Sequence, residues 1–100
     1  MKLLTKKIIK KLPTLYSQEN NSDPQVVVKF FDPTGSFTWY AIEYDGDDSF
    51  FGFVTSHLCP EGELGYFSLS ELQTAKVGFG LGIERDMYWE ARKLSECKGS

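Results

Sequence analysis

Along the first dozen residues Leu4, Ile8, Ile9 and Leu12 recur at helical spacing with lysines between them. Thr5 stands where an N-cap belongs and Pro13 stops the pattern, so a short amphipathic helix is predicted over about 5–12. The polar run Ser17–Pro24 reads as a loop. The pattern then changes to strands. Val26–Phe31 is β-branched and aromatic, and Asp32-Pro33-Thr34-Gly35-Ser36 is a turn leading into Phe37–Tyr44. Asp45-Gly46-Asp47-Asp48 turns the chain again, and Ser49–Thr55 completes an antiparallel meander. Gly52 inside that strand predicts a bulge or a close backbone approach.

A loop bearing Pro and Gly follows, ended by a short strand at Tyr66-Phe67. Ser68, with Glu71 three residues on, predicts the start of a second short helix. Residues 74–82 read as a glycine-punctuated loop. The last stretch carries two periods at once: Ile83, Met87, Ala91 and Leu94 keep helical spacing, whereas Ile83, Arg85, Met87 and Trp89 alternate. A strand over 83–89 is the expectation adopted, and it puts Arg85 on the inner face with Glu84 and Asp86 on the other. The elements describe a small α+β domain, with an antiparallel sheet of about four to five strands, an N-terminal helix and a second short helix. Residues 1–100 form one domain, the tail 95–100 being read as cloned or disordered residues.

The bulk composition is that of an ordinary globular chain, with 41% hydrophobic and 25% charged residues among 100. No apolar run approaches the length that spans a bilayer, and lysines interrupt the N-terminal segment where a signal peptide needs an apolar centre, so a cytoplasmic location is expected. Cys59 and Cys97 are isolated thiols, which implies neither a zinc site nor a disulfide framework. Charge is unevenly spread. Residues 1–12 hold five lysines and no acid, leaving six basic against fourteen acidic residues in the rest. An acidic body argues against a broad nucleic-acid surface and leaves Lys6, Lys7, Lys10 and Lys11 as the one stretch that could meet a polyanion.

Three longer segments, WYAIEYDGDDSFFGFV at 39–54, ELGYFSLSEL at 63–72 and GLGIERDMYW at 80–89, resemble the signature blocks of the DUF2958 family. The likeness runs in order from KKIIKKLPTLY through VKFFDPTGSFTWY to the LSE near the C-terminus. It implies a small single-domain bacterial protein, often encoded with plasmid and other mobile-element genes. It brings no established activity, cofactor or catalytic residue. The chain departs from the family pattern in the HLCPEG loop, which is slightly longer, and in the terminal ARKLSECKGS.

Candidate chemistry is sparse. Glu43, Asp45, Asp47 and Asp48 crowd one turn but lack the spacing of a calcium loop, so no metal is expected. GFGLG at 78–82 lacks the strand–loop–helix context of a nucleotide site, and no cofactor is implied. A half-buried Arg85 demands a carboxylate, for which Glu43 is the leading candidate, giving an expected structural ion pair. As an enzyme, the chain would rely on Glu43, Glu84, Asp86 and His57 converging on one cleft, as a hydrolase or nucleotide-processing site. The aromatic set is too large for one face of a three-stranded sheet, so Trp39, Tyr40 and Tyr66 are candidates for a binding surface. The leading expectation is a non-enzymatic accessory protein that contacts a protein partner.

Overall fold

The computed structural model describes residues 2–77 and 81–98. The predicted N-terminal helix is α1 (Lys6–Lys11), capped as expected: the Thr5 hydroxyl accepts the Ile8 N–H at 3.2 Å. The apolar run near residue 27 divides into β1 (Gln25–Val26) and β2 (Val28–Phe31). β3 (Phe37–Tyr44) and β4 (Ser49–Ser56) follow. After β5 (Glu63–Ser68) comes α2 (Leu69–Thr74), whose first turn is capped by Ser68 accepting the Glu71 N–H at 3.0 Å.

Short elements close the chain: β6 (Lys76–Val77), β7 (Leu81–Gly82), β8 (Glu84–Arg85), β9 (Arg92–Lys93) and α3 (Leu94–Cys97). The central antiparallel sheet has the order β5-β4-β3-β2-β8, with β1-β9 and β6-β7 as separate ribbons. The chain is therefore the expected small α+β domain. Part of the GFGLG run lies outside the described residues.

Turn chemistry sets the meander. Asp32 is buried, and its carboxylate accepts the Thr34 N–H at 2.7 Å and the Thr34 hydroxyl at 2.6 Å. Asp45 does the same for the next turn, its Oδ1 accepting the N–H groups of Asp47, Asp48 and Ser49 at 2.8–3.0 Å.

The sheet is covered on both faces. Beneath α1 and α2 lies a cluster of Leu3, Leu12, Val28, Phe30, Ala41, Tyr44, Phe50, Leu72 and Ile83. Its centre is an aromatic stack in which Phe50 lies between Tyr44 at 4.5 Å and Phe67 at 5.2 Å. The opposite face packs Val26, Ile42, Phe53, Leu94 and Cys97, with Tyr40 and Trp89 at the margin.

One irregularity divides these faces. β3 and β4 are in register from Phe37↔Ser56 to Ala41↔Gly52, then shift so that Glu43 pairs with Phe51. Ile42 is the extra residue of a β-bulge. Its effect is to reverse the alternation: Trp39 packs with the helix-side cluster, Glu43 turns to the side of Ile42, and Tyr44 returns to the helix side. Gly52 permits the close approach, since a Cβ there would lie 2.0 Å from the Tyr40 carbonyl oxygen.

The end of the chain departs from expectation. Only Glu84–Arg85 of the anticipated 83–89 strand is a strand, and residues 87–88 turn away with Met87 and Tyr88 exposed. Asp86 makes that turn, its carboxylate accepting the Tyr88 N–H at 2.9 Å. Residues 95–97, read as part of a disordered tail, belong to α3. The Ser95 N–H and hydroxyl bind the Asp23 carboxylate at 2.8 and 2.6 Å, and Cys97 is buried.

Among the described residues no helix is long and apolar enough to cross a membrane.

Candidate functional site

The bulge that turns Glu43 over gives the molecule its most distinctive side chain. Glu43 is only 4% exposed. Its Oε1 accepts the Tyr16 N–H at 3.0 Å and its Oε2 the Gln18 N–H at 2.7 Å. Each bond spans about a quarter of the chain in sequence, and together they hold the polar loop after α1 against the sheet. Such charge-assisted bonds contribute about 1.5–3 kcal/mol each.

They also stabilise an unfavourable backbone. Tyr16 has φ +68°, the sole non-glycine with positive φ among the described residues. For a bulky side chain that conformation costs about 1–2 kcal/mol. The strained turn aims two N–H groups, two residues apart, at one carboxylate.

Loop and sheet enclose a cleft of about 380 Å³, with Ile42 and Glu43 deep, Phe51, Leu64 and Tyr66 on the strand side, and Tyr16 and Glu19 on the loop side. The Phe51 and Tyr66 rings meet edge to face at 5.1 Å and 60°. Tyr16 and Tyr66 are both about 60% exposed at the rim. A hydrogen bond with the Tyr16 side chain is the main cause that pushes the Tyr66 phenol above its ordinary range, with Glu43 and Glu19 adding in the same direction.

The expected ion pair between Arg85 and Glu43 is not formed. Two features of the fold work against it. The bulge puts Glu43 on the cleft side, and β2 separates β3 from β8, with Arg85 in register with Phe30 and, beyond it, Trp39. The Arg85 guanidinium instead donates to the Lys2 carbonyl at 2.7 Å and approaches the Met87 sulfur at 3.2 Å, tying the N-terminal segment to the sheet edge.

The four candidate catalytic residues fall in three places. Glu43 lies in the cleft just described. Glu84 and Asp86 line a shallower groove with Lys29, Phe31 and Tyr88. His57 lies beside a third hollow, lined also by Thr38, Thr55 and Lys98, with its ring edge-on to Phe37 at 6.3 Å. Among the described residues no three His, Cys, Asp or Glu side chains stand close enough together to hold a metal ion. Two acids of the 45–48 turn serve the fold: Asp45 caps its own turn, and Asp48 accepts the Ser70 N–H and hydroxyl at 2.8 and 3.0 Å in the first turn of α2.

Nor do Trp39, Tyr40 and Tyr66 make one surface. Trp39 stacks on Phe37 at 5.7 Å on the helix side, while Tyr40 packs on the other face against Phe53 and Trp89. Adjacent strand residues point to opposite faces, and only Tyr66 is widely exposed. The residues that complete its cleft, Tyr16, Gln18 and Glu19, come from the polar loop, where nothing in residue type or spacing announced them.

The model of the family described as "Protein of unknown function (DUF2958)" matches residues 3–97. No curated protein and no solved structure matches the chain.

Proposed function

The chain belongs to the DUF2958 family, whose description assigns no activity, and from the geometry of the Glu43 cleft we propose that it is a small binding protein that receives an extended segment of a protein partner along β5. The observation that carries this reading is the state of that edge. β5 ends the central sheet, and among the described residues no strand pairs with its outer side. Leu64 and Tyr66 on it are 52% and 59% exposed and open into the cleft.

Exposed sheet edges are usually shielded by charge, proline or a covering element, because unpaired N–H and C=O groups recruit further strands. A six-residue edge with two large exposed apolar side chains beside a pocket is the arrangement used in β-strand addition. There the main chain supplies affinity and alternate side chains enter pockets. The mobile-element setting implied by the family resemblance favours a host-defence or DNA-maintenance protein as the partner. The hydrolase reading draws less support, because Glu43, Glu84, Asp86 and His57 serve three separate depressions.

The test is position-dependent cross-linking. A photo-reactive phenylalanine analogue replaces Tyr66 in one variant and Ile9, which is exposed on α1, in another, in cells that carry the native gene and its neighbours. A discrete adduct from position 66 and none from position 9 is expected. Equal labelling from both positions, or none from 66, overturns the reading.

A further inference from the structure

We infer that the side chain entering the cleft is a lysine of the partner segment, with its ammonium between Glu43 and the Phe51 and Tyr66 rings and its methylene stem along Leu64; this rests on the reading of β5 and its cleft as a docking site. The first observation is the charge balance of Glu43. It is nine-tenths buried, and among the described residues no cationic side chain pairs with it. A carboxylate withdrawn from water and compensated only by N–H dipoles gains from a counter-ion. Each oxygen holds one N–H donor, which leaves a second acceptor position on each for the three donors of an ammonium.

The second observation is the wall of the cleft. Phe51 and Tyr66, edge to face at 5.1 Å, both line it, and aromatic rings attract cations. Glu19 at the loop side adds negative charge where the stem would enter. One cation already borders the cleft: Lys98, whose ammonium lies over the Phe53 ring at 5.1 Å. It opposes an incoming ammonium, and its removal tightens binding.

Lysine fits better than arginine for a geometric reason. The guanidinium fork needs both carboxylate oxygens presented side by side, and here each already faces a backbone N–H. A compact ammonium on a slender stem needs only the remaining lone pairs on the wall of the cleft.

The probes are blocked β-strand peptides, identical except at a central residue that is lysine, acetyl-lysine, norleucine or arginine, titrated into the isotope-labelled whole chain and followed by amide shifts at Tyr16, Gln18 and Tyr66. The lysine peptide should bind about tenfold more tightly than the norleucine peptide, with the acetyl-lysine peptide close to norleucine and the arginine peptide between. Lys98→Met should strengthen the lysine preference, and Tyr66→Leu, at an exposed position where folding is safe, should reduce it severalfold, whereas Tyr66→Phe should retain it. Glu43→Gln should remove the preference, with Tyr66→Leu deciding if that variant loosens the loop.

Equal binding of lysine and norleucine peptides overturns the inference and leaves β5 as a docking edge. Binding of no peptide, with adducts still formed from position 66, overturns the lysine alone. Absence of both overturns the two together.

Discussion

The two faces of the central sheet solve the same burial problem differently. The helix side is filled by apolar side chains from the sheet and from α2 and the N-terminal segment, with Tyr44 stacked on Phe50 and Phe30 edge-on to it. The other side is filled at one end by Ile42, Phe53, Leu94 and Cys97, but toward β5 it is covered by a polar loop held through Glu43. The hollow on the helix side lies at the margin of the apolar packing, between Leu3, Ile9, Tyr44 and Leu69, whereas the loop fastened by two hydrogen bonds leaves a cleft with a buried carboxylate in its wall. The contrast predicts that the helix side carries most of the stability and that the loop side, if the proposed docking holds, receives the partner.

The sharpest way to break that contrast is to truncate one aromatic on each face. Phe50→Ala should cost about 3–5 kcal/mol in urea unfolding, since it empties the middle of the stack. Tyr66→Ala, at a rim position, should cost about 0.5 kcal/mol or less. Comparable losses at the two sites would show that the faces are not divided in this way.

The division itself depends on the bulge. Gly52→Ala would force a Cβ to within 2.0 Å of the Tyr40 carbonyl oxygen, and a loss of about 3 kcal/mol is expected as β3 and β4 separate or the bulge shifts. An unchanged melting temperature would mean that the strands readily part there.

Glu43→Ala should have a more local effect. A loss of about 2 kcal/mol is expected, from two charge-assisted bonds offset by relief of the Tyr16 backbone. Amide exchange would show loss of protection at Tyr16 and Gln18 with the helix-side core unaffected. Global loosening would instead place Glu43 in the main stabilising core.

The smallest effects concern pH. Hydrogen bonds from the Ser95 hydroxyl and N–H hold the Asp23 carboxyl below its ordinary range, and N–H bonds from Asp47 and Ser49 do the same for Asp45. A carboxyl lowered in the folded state contributes stability that is complete above the unfolded value of about 3.9 and is lost as pH falls through the folded one. Both groups are exposed, so a slight decline beginning near pH 4 is expected, shallower in Asp23→Asn and Asp45→Asn. At the alkaline end, Tyr16→Phe should return the Tyr66 phenol toward its ordinary range in an ultraviolet titration, because the Tyr16 bond is the leading cause of its rise.

Local chemistry made much of this molecule legible in advance. Thr5 and Ser68 cap the helices they were expected to cap, and the 32–36 and 45–48 turns join the strands they were expected to join. Gly52 marked the close approach. These signals succeed because each depends on neighbours a few residues away.

The site was not legible, and the reason is one residue. Strict alternation would set Glu43 with Trp39 and Ala41, facing an arginine; the bulge at Ile42 reverses every face beyond it. Bulge position depends on how two strands settle against both cores at once, which no single segment records. The same limit hid Tyr16, whose positive φ follows from a carboxylate 27 residues away, and misjudged residues 95–97, whose helix is held by Asp23 across the fold.

The sequence by itself determined the class of fold, the meander, the caps and the turns, because periodicity and turn chemistry act over short range. Only the tertiary structure decided which face each charge occupies, what each carboxylate binds, and that a polar loop rather than a helix covers the sheet beside β5. Those outcomes rest on strand register and long-range hydrogen bonds, whose energies appear only once the chain has closed on itself.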